Sequence, residues 1–195
     1  MNNKVKLIIT SLSFVALIFV AVFAYDNLIA MGHRADNILI YDLPTSYDNY
    51  LDLDDDVILL NFNALDWYEN PIQLSDFFGK PTVLNFWASW CPQCIQESPN
   101  FQAIYDTMGD EINIVKVNLL DGHRETRATL ERFMYENSYT FPVILDITGQ
   151  AAHVFDIHTI PVTFFLNSEG HVVARAQGAV DLELLKYGIS LASVS

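Results

Sequence analysis

Cys91 and Cys94 are the only cysteines in the chain, and Pro92-Gln93 separates them. Two thiols at this spacing can close into a disulfide and reopen, carrying an electron pair to or from another disulfide. Ahead of them, Pro81-Thr82-Val83-Leu84-Asn85-Phe86 is a short apolar run of the kind that makes a buried strand. After them, Ile95, Phe101, Ile104, Tyr105 and Met108 recur near helical spacing. The pair therefore stands where a strand ends and a helix begins. Pro92 suits the first helical position, because the amide hydrogen it lacks would be unpaired there. Cys91 is then the N-cap residue, where unpaired amide hydrogens and the helix dipole favour an anion. A thiol so placed ionises below its free pKa of about 8.5, and the thiolate is the attacking species. Cys94 falls on the same helix face one turn in, so it is expected to be the more shielded, resolving partner, with Cys91 exposed.

Two other uses of the pair fit less well. A zinc centre needs about four ligands, and with no second cysteine pair the five histidines would have to complete it. A structural disulfide across two residues would close a small loop and stabilise little.

The stretch Asn85-Phe86-Trp87-Ala88-Ser89-Trp90-Cys91-Pro92-Gln93-Cys94, followed by Glu97 and Pro99, resembles the thioredoxin superfamily. More narrowly it is similar to the membrane-anchored TlpA/ResA-like thiol–disulfide oxidoreductases of bacteria. The resemblance runs from about Leu65 to the C-terminus. It implies an α/β thioredoxin-like fold: a central mixed sheet flanked by helices, with an N-terminal β-hairpin addition and a central helix–strand insertion. It also implies roles. Cys91 would be the nucleophile, Cys94 the resolving thiol, and Glu97 an acid that tunes the pair and takes a proton when Cys94 attacks. Trp90, Pro92, Ile160 and Pro161 would form the substrate-binding set, with Pro161 a cis-proline facing the cysteines. Ile160 would then turn its backbone outward to pair with a substrate strand. From the residues alone, Pro161 is simply tolerated at the start of a strand. Asn85 stands where ordinary thioredoxins have a buried aspartate, and Pro92 precedes Gln93 where thioredoxins have proline second. No cofactor and no metal are implied.

The resemblance favours reduction of disulfides in exported proteins, apocytochrome c being the client type. Electrons would come from a membrane thiol transporter of the CcdA/DsbD kind. The same chemistry run as a disulfide-forming oxidase is the alternative, because the Cys-Pro-x-Cys order also occurs in oxidising relatives. A copper-handling assembly module is a third possibility. Copper-delivery proteins of this fold have three residues between their cysteines and a remote histidine; here there are two.

Other elements must position the pair. At 195 residues there is room for one domain and an appendage. The net charge of −14 excludes nucleic acid as a partner, since phosphates would be repelled. Lys4 and Lys6 precede an apolar run from Leu7 to Ala24, so residues 1–25 read as an uncleaved transmembrane anchor, with a cleaved signal as the alternative. The positive-inside rule then places a single-pass protein in the bacterial cell membrane, its catalytic domain on the extracytoplasmic side. Residues 26–56, rich in aspartate, read as a solvated spacer, and 57–195 as the thioredoxin-like domain, its order beginning at Val57-Ile58-Leu59-Leu60.

Within that domain, 64–74 reads as a hairpin turning at Glu69-Asn70-Pro71, and Ser75 caps a short helix that ends at Gly79. A strand at 112–118, an amphipathic helix at 124–137, a strand at 141–145 and a helix at 150–155 follow. Residues 162–174 form a second hairpin, and Asp181 caps a closing helix. Trp87 is a core residue, Pro99 bends the active-site helix, and His158 is a loop histidine without a redox role.

Overall fold

The computed structural model describes residues 17–23, 38–40 and 60–194, and the chain divides into two units, Met1–Asn37 and Ile38–Ser195. In the first unit, 17–23 is a helix (α1) with exposed side chains. Among the described residues no helix is long and apolar enough to cross a membrane. The rise of α1 is about 10 Å, against a hydrocarbon core of about 30 Å. The rest of the expected span, from Leu7 to Ala16 and at Ala24, lies outside the described residues, as do Val57, Ile58 and Leu59.

The second unit runs β1 (Ile38–Ile40), β2 (Asn63–Leu65), β3 (Pro71–Gln73), a 3-10 turn (Leu74–Phe77), β4 (Thr82–Trp87) and α2 (Pro92–Met108). There follow β5 (Asn113–Asn118), α3 (Arg127–Glu136), β6 (Val143–Leu145), α4 (Gln150–Val154), β7 (Val162–Leu166), β8 (Val172–Gln177) and α5 (Leu182–Val194). The strands join one mixed sheet in the order β1-β8-β7-β4-β5-β6-β2-β3. β4, which leads into the cysteines, lies centrally, parallel to β5 and antiparallel to β7. The β2–β3 hairpin extends the sheet beyond β6 through the Leu65–Leu145 pairing. Strand β6 and helix α4 lie between β5 and β7 in the chain, where the helix–strand insertion was expected.

Helices and loops bury both sheet faces, so the alternation along β4 sorts two cores rather than core from solvent. Val83 and Trp87 pack with Phe101, Ile104, Leu130, Phe141 and Phe165 in the cluster that also holds both cysteines. Leu84 and Phe86 point the other way, to Val115, Val117, Phe155 and Phe164. Each such side chain contributes about 1.5–3 kcal/mol by leaving water. Helix α5 comes so close to the sheet that a Cβ at Gly188 would overlap the Phe165 ring.

Two expectations need correction. The stretch read as a structureless spacer contains β1, which pairs antiparallel with Ala174–Ala176 of β8; the remainder of 26–56 lies outside the described residues. Ser75 does not cap the 3-10 turn. Gln73 is the N-cap, and its amide donates to the Asp76 carboxylate at 2.8 Å, a position the hairpin register fixes two residues earlier. Pro99 lies inside α2, as its place in the active-site helix implied. Asp181 does cap α5, accepting the Leu184 amide at 2.8 Å.

Candidate active site

Strand β4 delivers the chain to Ala88, whose carbonyl accepts the Cys91 amide, and α2 starts there. Cys91 takes extended N-cap geometry, with Pro92 at the head of the helix. Its sulfur accepts the Cys94 amide hydrogen at 3.3 Å. That donor is one of the amides a helix leaves unpaired, so it and the dipole favour negative charge on Sγ of Cys91 once the pair is reduced. The two cysteines are joined as a disulfide, with Cα atoms 5.2 Å apart.

Cys91 is less open than expected. It is 4% exposed and Cys94 fully buried, because Trp90 and Ile160, both half-buried, pack against the cluster around them. The Ile160–Pro161 bond is cis. It brings the Ile160 carbonyl oxygen to 3.8 Å from Sγ of Cys91, while the Pro161 carbonyl accepts the Gly178 amide. Pro92 and Gln93 are exposed beside the disulfide. His158 is exposed and pairs with Asp156 at 2.9 Å.

Beneath the cysteines lies a buried polar row. Thr163 of β7, Asn85 of β4 and Lys116 of β5 are register partners on neighbouring strands, so they share the face that α2 covers. Glu97, one helical turn beyond Cys94, descends into this row and is fully buried. The Asn85 amide donates to Glu97 at 2.9 Å and to Thr163 at 3.0 Å, and the Val180 amide donates to Glu97 at 3.1 Å. Lys116 Nζ stands 3.9 Å from Glu97, with no hydrogen-bond partner among the described residues. It lies instead over the rings of Phe101, Trp87 and Phe141, at 4.1, 4.8 and 5.2 Å. Burial raises the Glu97 pKa, against the pull of Lys116 and the two hydrogen bonds. Burial likewise lowers Lys116 from 10.5 to about 8, with Glu97 opposing. The pair can therefore take up or release a proton under the disulfide.

A second support comes from the turn after β5. Asp121 accepts the amides of His123, Arg124 and Glu125, and these bonds hold its carboxyl below the usual range. The turn directs the fully buried Glu125 inward. Its carboxylate accepts from the Ser89 amide (3.0 Å), the Ser89 hydroxyl (2.8 Å) and Asn118 (2.7 Å). Ser89 stands two residues before Cys91, so Glu125 secures the loop that presents the sulfur. The Arg124 guanidinium lies 3.4 Å above the Trp90 ring.

Sequence reasoning missed Lys116, Thr163, Glu125, Ser89 and Arg124. For Lys116 a signal existed: Ile114, Lys116 and Asn118 alternate with Val115 and Val117 in a strand apolar on both sides. A lysine there must be buried with a partner. For Glu125 no local signal distinguished it from the charged residues around it.

Residues 57–175 match the AhpC/TSA family, more than half of the 195-residue chain. The chain belongs to the AhpC/TSA family. This AhpC/TSA-family chain is 38% identical over 109 residues to sporulation thiol-disulfide oxidoreductase A of Bacillus subtilis, a match covering 55% of this chain and 66% of that protein. It is 35% identical over 121 residues to thiol-disulfide oxidoreductase ResA of Bacillus subtilis, covering 62% and 65%. It thus spans just under two thirds of the length of these relatives. The crystal structure of StoA from Bacillus subtilis superposes with a TM-score of 0.59 at 33% identity, over 67% of this chain and 97% of that one. A putative thiol:disulfide interchange protein DsbE from Chlorobium tepidum shares the fold, with a TM-score of 0.62 at 24% identity over 72% and 99%. The fold of this AhpC/TSA-family chain is thioredoxin-like.

Proposed function

We propose that the protein is a thiol–disulfide oxidoreductase that reduces disulfides in exported proteins. The observation that carries this reading is the placement of Cys91: its sulfur caps α2, accepts the Cys94 amide, and lies against the carbonyl before a cis-proline. In the reduced protein the Cys91 thiolate attacks a client disulfide, forming a mixed disulfide and releasing one client sulfur as thiolate. Cys94 then loses its proton and attacks Sγ of Cys91. The second client sulfur leaves as a thiolate, to be protonated by solvent, and two electrons have passed from the cysteine pair to the client. Glu97, its proton affinity raised by burial, accepts the Cys94 proton. An extended client strand would lie along Ile160, with Trp90 and Pro92 on either side of the sulfur.

The reducing direction is supported by the carboxylate one turn beyond Cys94. A negative charge there disfavours a thiolate at Cys94, the nearer sulfur, and so favours the disulfide over the reduced pair. The apolar run from Leu7 to Ala24 behind Lys4 and Lys6 supports a membrane tether with the domain outside the cytosol. Apocytochrome c type clients and an electron donor of the CcdA/DsbD kind complete this reading. The test is the reduction potential of the Cys91–Cys94 couple. A reductant should equilibrate well below about −200 mV; a value near −120 mV would make the protein an oxidant.

A further inference from the structure

We propose that Arg124 reads the charge beside the target cysteine, favouring client strands that carry a carboxylate there. This rests on the exchange reaction proposed above and names the class of substrate it takes. Arg124 stacks on Trp90, the residue immediately before the nucleophile. Stacking occupies one face of the guanidinium plane. Its N–H donors lie in the plane and point outward, in a fork that matches a carboxylate.

Among the described residues that fork is unclaimed. Arg124 is exposed, and among the described residues no carboxylate pairs with it. The two acids beside it are committed elsewhere, Asp121 to three backbone amides and Glu125 to Ser89 and Asn118. Arg127 makes the contrast. It also stacks on an indole, that of Trp67, but its Nε donates to Glu131 at 2.7 Å and its Nη2 to the Trp67 carbonyl at 2.7 Å.

The cation is also held in place before any client arrives. Asp121 fixes the backbone of the turn, and Glu125 ties that turn to Ser89, on the loop that carries Trp90 and Cys91. Arg124 and the attacking sulfur therefore belong to one hydrogen-bonded unit, and little ordering remains to be done on binding. On a chain of net charge −14 an acidic client is repelled at long range. Arg124 is a local exception, and screening over about 10 Å confines its reach to residues near the target cysteine.

The test uses the dithiothreitol-reduced full-length protein and three peptides, each with one cysteine in mixed disulfide with 2-mercaptoethanol. The flanking positions carry Asp, Asn or Lys. Each turnover converts one peptide disulfide to thiols and leaves Cys91–Cys94 oxidised, to be re-reduced by dithiothreitol. The Asp peptide should react about fivefold faster than the Asn peptide, and the Lys peptide more slowly still. Arg124→Ala should bring the Asp peptide to the Asn rate, while leaving the Asn peptide and neutral hydroxyethyl disulfide within about twofold. The preference should shrink in about 1 M salt. Equal rates for Asp and Asn peptides with the parent protein would overturn the proposal. So would an Arg124→Ala variant slowed equally on every substrate, which would mean that Arg124 only props Trp90. Failure of the parent protein to reduce hydroxyethyl disulfide would bring down the exchange reaction itself, and this inference with it.

Discussion

Lys116→Met isolates the buried pair under the disulfide. The lysine is fully buried and, among the described residues, donates no hydrogen bond and has Glu97 as its one ion-pair partner at 3.9 Å. Burial lowers its pKa from 10.5 to about 8, against the pull of Glu97. A lysine with a depressed folded pKa binds fewer protons folded than unfolded between pH 8 and 10.5, so the native protein gains stability as pH rises through that window. Glu97 is raised, so its contribution is fully present below its unfolded value of 4.5 and is lost as pH rises through the folded pKa. Methionine removes the lysine's cost, but also the cation that offsets the buried carboxylate, which pushes the Glu97 pKa higher still. At pH 5 the carboxyl can hold its proton and the variant should lie within about 1 kcal/mol of the parent. At pH 8 an uncompensated buried carboxylate should cost about 3 kcal/mol. Glu97→Gln combined with Lys116→Met should recover most of that loss at pH 8. Urea denaturation of the oxidised protein at pH 5, 7 and 8 reads Lys116→Met, Glu97→Gln and the double variant. A penalty equal at every pH, or a double variant as unstable as the sum of the single ones, would refute the coupling.

Three further outcomes follow from the same geometry. Glu97→Gln should slow resolution of a mixed disulfide by at least about tenfold at neutral pH, with the initial attack by Cys91 much less affected; stopped-flow fluorescence of Trp90 separates the two steps. Glu125→Ala leaves the Ser89 amide and Asn118 without their acceptor and should cost about 2–3 kcal/mol, shifting the pH profile of Cys91 alkylation. Glu125→Gln keeps an acceptor for both donors and should restore the parent profile; if it fails to, Glu125 acts by charge rather than by placement. Gly188→Ala should lower the thermal midpoint through a loss of about 2–3 kcal/mol, since its new methyl meets the Phe165 ring of β7; an unchanged midpoint would mean that α5 can shift freely.

Local pattern made the catalytic junction legible. An apolar run, a turn and a proline-headed helix are each readable within about ten residues, and β4 and α2 form within a residue or so of where that pattern puts them. The hairpins are visible for the same reason. What stayed hidden depends on distant partners. Ile38–Ile40 is a short run in polar surroundings, and its strand exists only through pairing with β8, some 135 residues later. Lys116 looked like the polar half of an alternating strand, because a sheet covered on both faces is not evident from one strand. Glu125 reads like any acid at the start of a helix until the turn at Asp121 directs it inward. The covering of Cys91 likewise arises from Trp90 and Ile160, which meet only in three dimensions.

The most direct measurement is the pH dependence of alkylation of the reduced protein, with each modified cysteine located by mass spectrometry. Cys91 should react before Cys94, with a midpoint below the free thiol value of about 8.5. A midpoint at or above that value, or modification of Cys94 first, would contradict the assignment of Cys91 as the nucleophile.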